Sequence, residues 1–264
     1  MKPTRAKGLQ ADPIFKLGKA PARKDPRNFK FAALLRAPPA LPVEYDFDVK
    51  HPGIPTPMFG NDVHGDCVIA GRAHQTLRFE DVEQKKIIAI SDSDVLNEYF
   101  NETGGPDSGL VVLDSLNEWR KGGWLVGRKR YYIKAYSEIT PRSQNATRQA
   151  IFLDVGVGLG LQMPISAQAQ TRAGKPWDVV SGSGSRPGSW GGHYVFVPGY
   201  TKLGPVCVTW GRKQQMTWAF YAKYCDEAYA IFDATDSTKL KRAIDVKKLG
   251  AMLQTVTSVA KARR

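Results

Sequence analysis

Asn61-Asp62-Val63-His64-Gly65-Asp66-Cys67 sets one cysteine at the predicted start of a long helix. The loop leading into it, His51–Asp66, holds Pro52, Gly53, Pro55, Pro57, Gly60, Asn61 and Gly65, residues that interrupt regular structure and turn the chain. Asp66 is a favoured helix N-cap type. From Cys67 to about Lys85 the apolar or small positions Val68, Ile69, Gly71, Ala73, Leu77 and Phe79 recur at helical spacing, which leaves Arg72, Gln75, Arg78 and Glu80 largely on the other side. A helix N-terminus carries about half a positive charge. That field favours a thiolate, the nucleophilic form of cysteine. Gly65 lets the chain turn sharply and expose the sulfur. A free cysteine is also a common small buried hydrophobe, so position on the helix leaves both readings open.

The second half of the chain supplies a partner. Ser189-Trp190-Gly191-Gly192-His193-Tyr194-Val195-Phe196-Val197 is an apolar strand opened by a histidine after a glycine-rich loop. Of the four histidines, His51 and His64 fall in the first loop and His74 inside the Cys67 helix. A histidine entering a strand can point across a cleft at a helix N-terminus and activate its thiol. It can equally be a hydrogen-bonded strand residue.

Around these two segments the first half is helix-rich and the second strand-rich, which predicts an α+β domain with a helical lobe facing a sheet lobe. Helices are expected over 91–101, 110–121, 143–153, 217–232 and 245–256. Strands are expected over 43–50, 131–139, 154–163, 193–200 and 205–210, and a loop over 171–192. Alternating glycines in Asp154–Met163 imply a close approach on one face. The predicted organisation is a basic, proline-rich arm over 1–40, the α+β domain over 41–238, and a basic C-terminal helix and tail over 239–264.

With 42% hydrophobic and 24% charged residues in 264, the chain is globular rather than disordered. The net charge of +13 is concentrated at the ends. Residues 1–36 hold ten basic and two acidic side chains, and residues 239–264 hold eight and one. The rest is nearly neutral. These ends read either as solvated tails or as weak contacts to a polyanion. No helix-turn-helix, RRM or zinc-finger pattern accompanies them. Cys67, Cys207 and Cys225 are too few for a disulfide scaffold, and no Cys/His spacing suggests zinc. Cys207, Cys225, Trp119, Trp124 and His74 read as packing residues, and His64 as an alternative base. Glycines 182–192 lack the P-loop lysine and following helix, so nucleotide binding is rejected. No cofactor or metal is expected. Without a secretory signal or an apolar run of about 18 residues, a cytoplasmic or virion-associated location is expected.

Together the two segments resemble the papain-like cysteine peptidases, and more specifically a divergent bacterial and phage branch with a GNDxxGDC nucleophile loop. Asn61 lies six positions before Cys67, where the family has an oxyanion-hole glutamine. His193-Tyr194-Val195-Phe196-Val197-Pro198-Gly199-Tyr200 is similar to the family's histidine strand, and Val208-Thr209-Trp210-Gly211 to its "NSWG" segment. Leu41-Pro42-Val43-Glu44-Tyr45-Asp46-Phe47 looks like the start of the family's mature domain. The 126 positions from Cys67 to His193 are near the spacing of about 130–150 in papain-type enzymes. The resemblance spans roughly residues 40–235.

It implies a two-lobed papain-like fold, with Cys67 as nucleophile, His193 as base and then acid, Asn61 as oxyanion donor beside the Cys67 N–H, and Trp210 as a shield. The orienting asparagine is replaced by Val208 or Thr209. Asp66 beside the thiol would oppose a thiolate if ionised. The implied function is a thiol hydrolase, a cysteine peptidase acting on peptide or protein. The rival reading is a catalytically weak or inactive papain-fold binding or structural protein, for instance phage-associated.

Overall fold

Two apolar clusters divide the chain into the expected lobes. One gathers the sheet and its covering helices around Leu159, Val195, Val197, Phe220 and Tyr221. The other gathers Val68, Ile69, Leu77, Val95, Leu113 and Trp119. The computed structural model describes residues 15–233 and 238–245.

The chain opens on β1 (Tyr45–Asp46) and a one-turn helix α1 (Phe47–Lys50), where the sequence predicts one strand. The Asp46 carboxylate accepts the Asp48 N–H and starts that turn. The helical lobe follows with α2 (Cys67–Gln84), α3 (Asp92–Thr103) and α4 (Val112–Lys121). Ser91 and Asp94 form a reciprocal capping box on α3. A small antiparallel hairpin, β2 (Trp124–Val126) and β3 (Lys129–Tyr131), and then β4 (Ala135–Glu138) divide the single strand expected over 131–139.

The sheet lobe continues with α5 (Gln144–Phe152), β5 (Gly156–Met163), α6 (Ser166–Arg172), β6 (Gly191–Tyr200), β7 (Pro205–Thr209), β8 (Arg212–Gln215), α7 (Trp218–Tyr224), β9 (Cys225–Phe232) and α8 (Thr238–Ala243). The strand order is β4-β9-β5-β6-β7-β8, with β1 also on β6, and the pairings are antiparallel.

Two expectations are corrected. The helix predicted over 217–232 ends at Tyr224, and Cys225–Phe232 is a strand held between β4 and β5. A strand buried on both faces has no polar alternation to betray it. Arg72, Gln75, Arg78 and Glu80, set apart from the apolar positions of α2 by the helical spacing, are buried with them: every residue from Cys67 to Glu80 is buried. The helix lies between the lobes, and its charges find partners there. Arg72 reaches Glu98 at 2.9 Å and also Glu102 and Ser115, while Arg78 grips Asp48 through two bonds of 2.8 and 2.7 Å. Finally, the stretch read as an arm over 1–40 lies on the domain from Phe15 onward, with Phe31 and Leu34 fully buried in the sheet-lobe core. Of the helix predicted over 245–256, all but Asp245 lies outside the described residues. Trp119, Trp124, His74, Cys207 and Cys225 are buried, and the cysteines are free.

Candidate active site

Helix α2 begins at Cys67, and its first turn abuts the start of β6. The Tyr194 N–H donates to Cys67 Sγ at 3.4 Å, which sets the sulfur against the β6 backbone at the residue that follows His193. His193 Nε2 is 2.7 Å from Thr209 Oγ1, the last residue of β7. The register of β6 against β7 shifts by one between Phe196 and Gly199. That bulge brings Thr209, rather than Val208, to the histidine. Trp210 lies flat on the imidazole, with ring centroids 4.3 Å apart and 11° between planes. It adopts φ of 45°, and Gly211 follows at 72°, so the strand turns sharply and drops the indole onto the ring. His193 Nδ1 is buried and has no hydrogen-bond partner.

The site is dry. Cys67 is 2% exposed and His193 fully buried. Burial pushes the thiol up to about 12, against the pull of the Tyr194 and Gly18 N–H groups. Burial also pushes His193 down to about 3. The pair here is a neutral thiol beside a neutral imidazole. Asp66 occupies the N-cap position, yet its side chain makes no capping bond, contrary to its expected role. Neither carboxylate oxygen has a well-formed partner, and burial pushes the group up to about 8, although the neighbouring Asn61 amide pulls it down. At neutral pH Asp66 therefore favours its protonated form; once ionised, its charge adds to the upward push on the Cys67 thiol.

Asn61 is buried in the same loop, and its Nδ2 donates to the His64 carbonyl at 3.1 Å. An amide nitrogen has two N–H bonds, so this contact uses one of them. His64 turns to Asp107, 3.5 Å away, and packs edge-on against Phe100. Asp107 also accepts the Gly65 N–H at 3.0 Å and anchors the loop. His74 lies against Phe59 and is pushed down to about 3 by burial. Among the described residues one acidic group, Glu80, Glu83 and Asp233, has ligand-like spacing, and it includes the later turns of α2, away from Cys67.

Sequence reasoning missed what fills the cleft. Phe15-Lys16-Leu17-Gly18-Lys19-Ala20 runs between the lobes across Cys67. The Lys16 N–H donates to Asn61 O (3.1 Å), the Lys19 N–H to Gly192 O (3.1 Å), the Leu110 N–H to Gly18 O (2.8 Å) and the Ala20 N–H to Leu110 O (2.8 Å). Trp210 Nε1 donates to Lys16 O at 3.1 Å. Gly18 crosses so tightly that a Cβ there would fall 1.5 Å from the Gly65 carbonyl oxygen. The one available signal was glycine: Gly18, Gly65, Gly109 and Gly192 meet backbone to backbone.

No family model matches the chain, and no curated protein matches it in sequence. Solved structures do match. Xylellain, a cysteine protease from Xylella fastidiosa, aligns over 87% of this chain and 100% of its own, with a TM-score of 0.65 at 17% identity. A procathepsin B from Trypanosoma congolense covers 86% and 88%, with a TM-score of 0.59 at 12% identity. The Carica candamarcensis cysteine protease CMS1MS2, solved in complex with E-64, covers 74% and 100%, with a TM-score of 0.56 at 12% identity. The chain has the papain-like cysteine-protease fold. Its Cys67 helix belongs to the helical lobe and its His193 strand to the sheet lobe.

Proposed function

We propose that the protein is a papain-like thiol hydrolase, a cysteine peptidase that works through an acyl-enzyme on Cys67. The observation that supports this reading is the contact of Cys67, at the first turn of α2, with the β6 backbone next to a histidine that is bonded to Thr209 and covered by Trp210. With Nε2–H donating to Thr209, the lone pair of a neutral imidazole lies on Nδ1, the nitrogen left without a partner. His193 takes the thiol proton as the sulfur attacks a peptide carbonyl. The tetrahedral oxyanion is met by the Cys67 N–H and by the Asn61 side-chain amide once that amide turns from the Asp66 carboxyl. Protonated His193 then gives its proton to the leaving amine. Water, deprotonated by the same histidine, releases the acyl group. Thr209 supplies the orienting bond, and Trp210 keeps water from the imidazole. Among the described residues no helix is long and apolar enough to cross a membrane.

The test is hydrolysis of an unstructured protein such as casein under reducing conditions by wild type, Cys67→Ala and His193→Ala. Activity in the wild type and loss in both variants is expected; activity surviving in Cys67→Ala overturns the proposal. One observation favours the rival, a non-catalytic binding module: the cleft is already filled by residues 15–20. Under that reading Cys67 stays unreactive even when the cleft is emptied.

A further inference from the structure

Lys19 is the one residue of the cleft-filling segment whose side chain ends in a built polar socket. The side chain has no exposed surface. Its Nζ lies 3.0 Å from Asp226 Oδ2, 2.9 Å from Glu227 Oε1 and 3.2 Å from Ala20 O. The Ala20 and Asp226 contacts are hydrogen bonds, and the Glu227 contact is an ion pair. The socket does not depend on Lys19 for its shape. Gln162 Nε2 donates to Asp226 Oδ2 at 2.6 Å, and the Tyr229 hydroxyl to Glu227 Oε2 at 3.2 Å. Both helpers stand on the strands that carry the carboxylates or pair with them, β9 and β5. Between them β5 leaves Gly160 bare: a Cβ there would fall 2.3 Å from Lys19 Cε. The wall is cut away where an aliphatic stem passes.

We infer that this slot, formed by Asp226, Glu227, Gln162 and Gly160, is a binding site for the lysine side chain of an extended peptide, and that Lys19 is its internal occupant. Charge dictates the class of ligand. Two carboxylates face one ammonium, and Asp226 Oδ1 still has no hydrogen-bond partner. Remove the cation and the buried Glu227 carboxylate is left beside the half-buried Asp226, which favours the protonated form of Glu227. An apolar or anionic side chain leaves that cost in place. Main-chain geometry dictates that the ligand is a peptide. The bonds at Gly18, Lys19 and Ala20 to Leu110 and Gly192 are all backbone to backbone, so they accept any extended chain, as in strand addition. Only the side chain at position 19 is selected by charge.

The internal segment is suited to occupy rather than to react. The Gly18 N–H is directed at the sulfur and helps hold the thiol's proton affinity down. An N–H at that point offers no carbonyl carbon for attack. The segment is also tethered, so a free peptide competes with an effective concentration on the millimolar scale.

This inference rests on reading the Cys67 cleft as a peptide cleft, but its test needs no turnover. Full-length Lys19→Ala is titrated with a fluorescein-labelled peptide of the sequence Phe-Lys-Leu-Gly-Lys-Ala, and with versions carrying norleucine or glutamate at the second lysine. Binding of the lysine peptide at least about tenfold tighter than the norleucine peptide is expected, with no binding of the glutamate peptide. That preference should disappear in Lys19→Ala/Glu227→Gln. Iodoacetamide labelling of Cys67 is followed in parallel. It should be about tenfold or more faster in Lys19→Ala than in wild type, and slow again when the lysine peptide is added. Equal binding of the three peptides, or no binding while Cys67 labels rapidly, overturns the inference. If Lys19→Ala does not fold, Glu227→Gln in an otherwise wild-type chain decides: faster Cys67 labelling supports the slot, and an unchanged rate refutes it. Lysine-selective binding without cleavage of any peptide leaves the slot standing and removes the peptidase reading instead.

Discussion

Replacing Asp66 by asparagine isolates the cost of a buried carboxyl beside Cys67. Asp66 has no exposed surface, its oxygens lack well-formed partners, and burial pushes its carboxyl from the ordinary carboxylate range up to about 8. A raised acid means that the folded protein keeps a proton the unfolded chain has already released. Between about pH 4 and pH 8 unfolding therefore releases a proton, and stability falls as pH rises. The slope is about 1.4 kcal/mol per pH unit, or roughly 3 kcal/mol between pH 5 and pH 7. His74 and His193, both held down to about 3, tilt stability the other way, because the unfolded chain binds protons there that the folded protein refuses. Those contributions are common to wild type and variant, so the difference between the two proteins isolates Asp66. Urea unfolding at pH 5, 6 and 7 should show the stability of Asp66→Asn gaining steadily on wild type by that amount. Parallel curves would mean that Asp66 is ionised and paired in the folded protein. The claim that its charge is absent beside the Cys67 thiol would then fail.

Thr209→Val removes the one hydrogen-bond partner of His193 Nε2 among the described residues while preserving shape. Losing a buried bond of this kind costs about 1–3 kcal/mol, so peptide turnover should fall roughly ten- to hundredfold in kcat with little change in KM, and Thr209→Ser should recover most of it. Arg72→Met strands Glu98 and Glu102 between the lobes without their cation. Thermal unfolding should report a loss of about 3–5 kcal/mol; an unchanged midpoint would show that the pairs are dispensable. The basic N-terminal residues Lys2, Arg5 and Lys7 are proposed to contact polyanions, so replacing all three by glutamine should lower the salt concentration at which the protein leaves heparin. Identical elution would refute that contact.

The site was legible where local sequence and chemistry coincide. Cys67 follows a loop of turn residues, and the glycines before His193 mark where a strand begins. The choice between Val208 and Thr209 was not legible, because it depends on a bulge between Phe196 and Gly199 that only strand pairing reveals. The β9 strand read as a helix because Ala228, Ala230, Ile231 and Phe232 are buried on both faces, and an all-apolar run carries no period. The helical spacing only sets Arg72 and Arg78 apart from the apolar positions of α2. Their partners Glu98, Glu102 and Asp48 come from other elements, and no local rule announces them. The N-terminal segment was hidden for a further reason. Its prolines and lysines fit a solvated arm, while what holds Gly18 and Lys19 in the cleft is a set of glycines and carboxylates scattered from Gly65 to Glu227.

That hidden segment also bears on the protonation state of Cys67 and His193. A thiol at a helix N-terminus should lean toward thiolate, yet Cys67 is pushed the opposite way, up to about 12, with burial as the largest cause. Much of that cover comes from residues 15–20. Gly18 presses on Gly65, Phe15 packs on Trp210 with ring centroids 5.0 Å apart, and Lys16 ties the loop at Asn61 to the Trp210 indole. Withdraw the segment and water reaches Cys67 and His193, so both desolvation penalties shrink. The helix field and the imidazole then act on a hydrated sulfur, and both favour the thiolate. Filled cleft and silent thiol are thus two aspects of one contact. A change that loosens Lys19 should raise Cys67 reactivity most at pH values below 8, where a thiol left at its buried value would stay protonated.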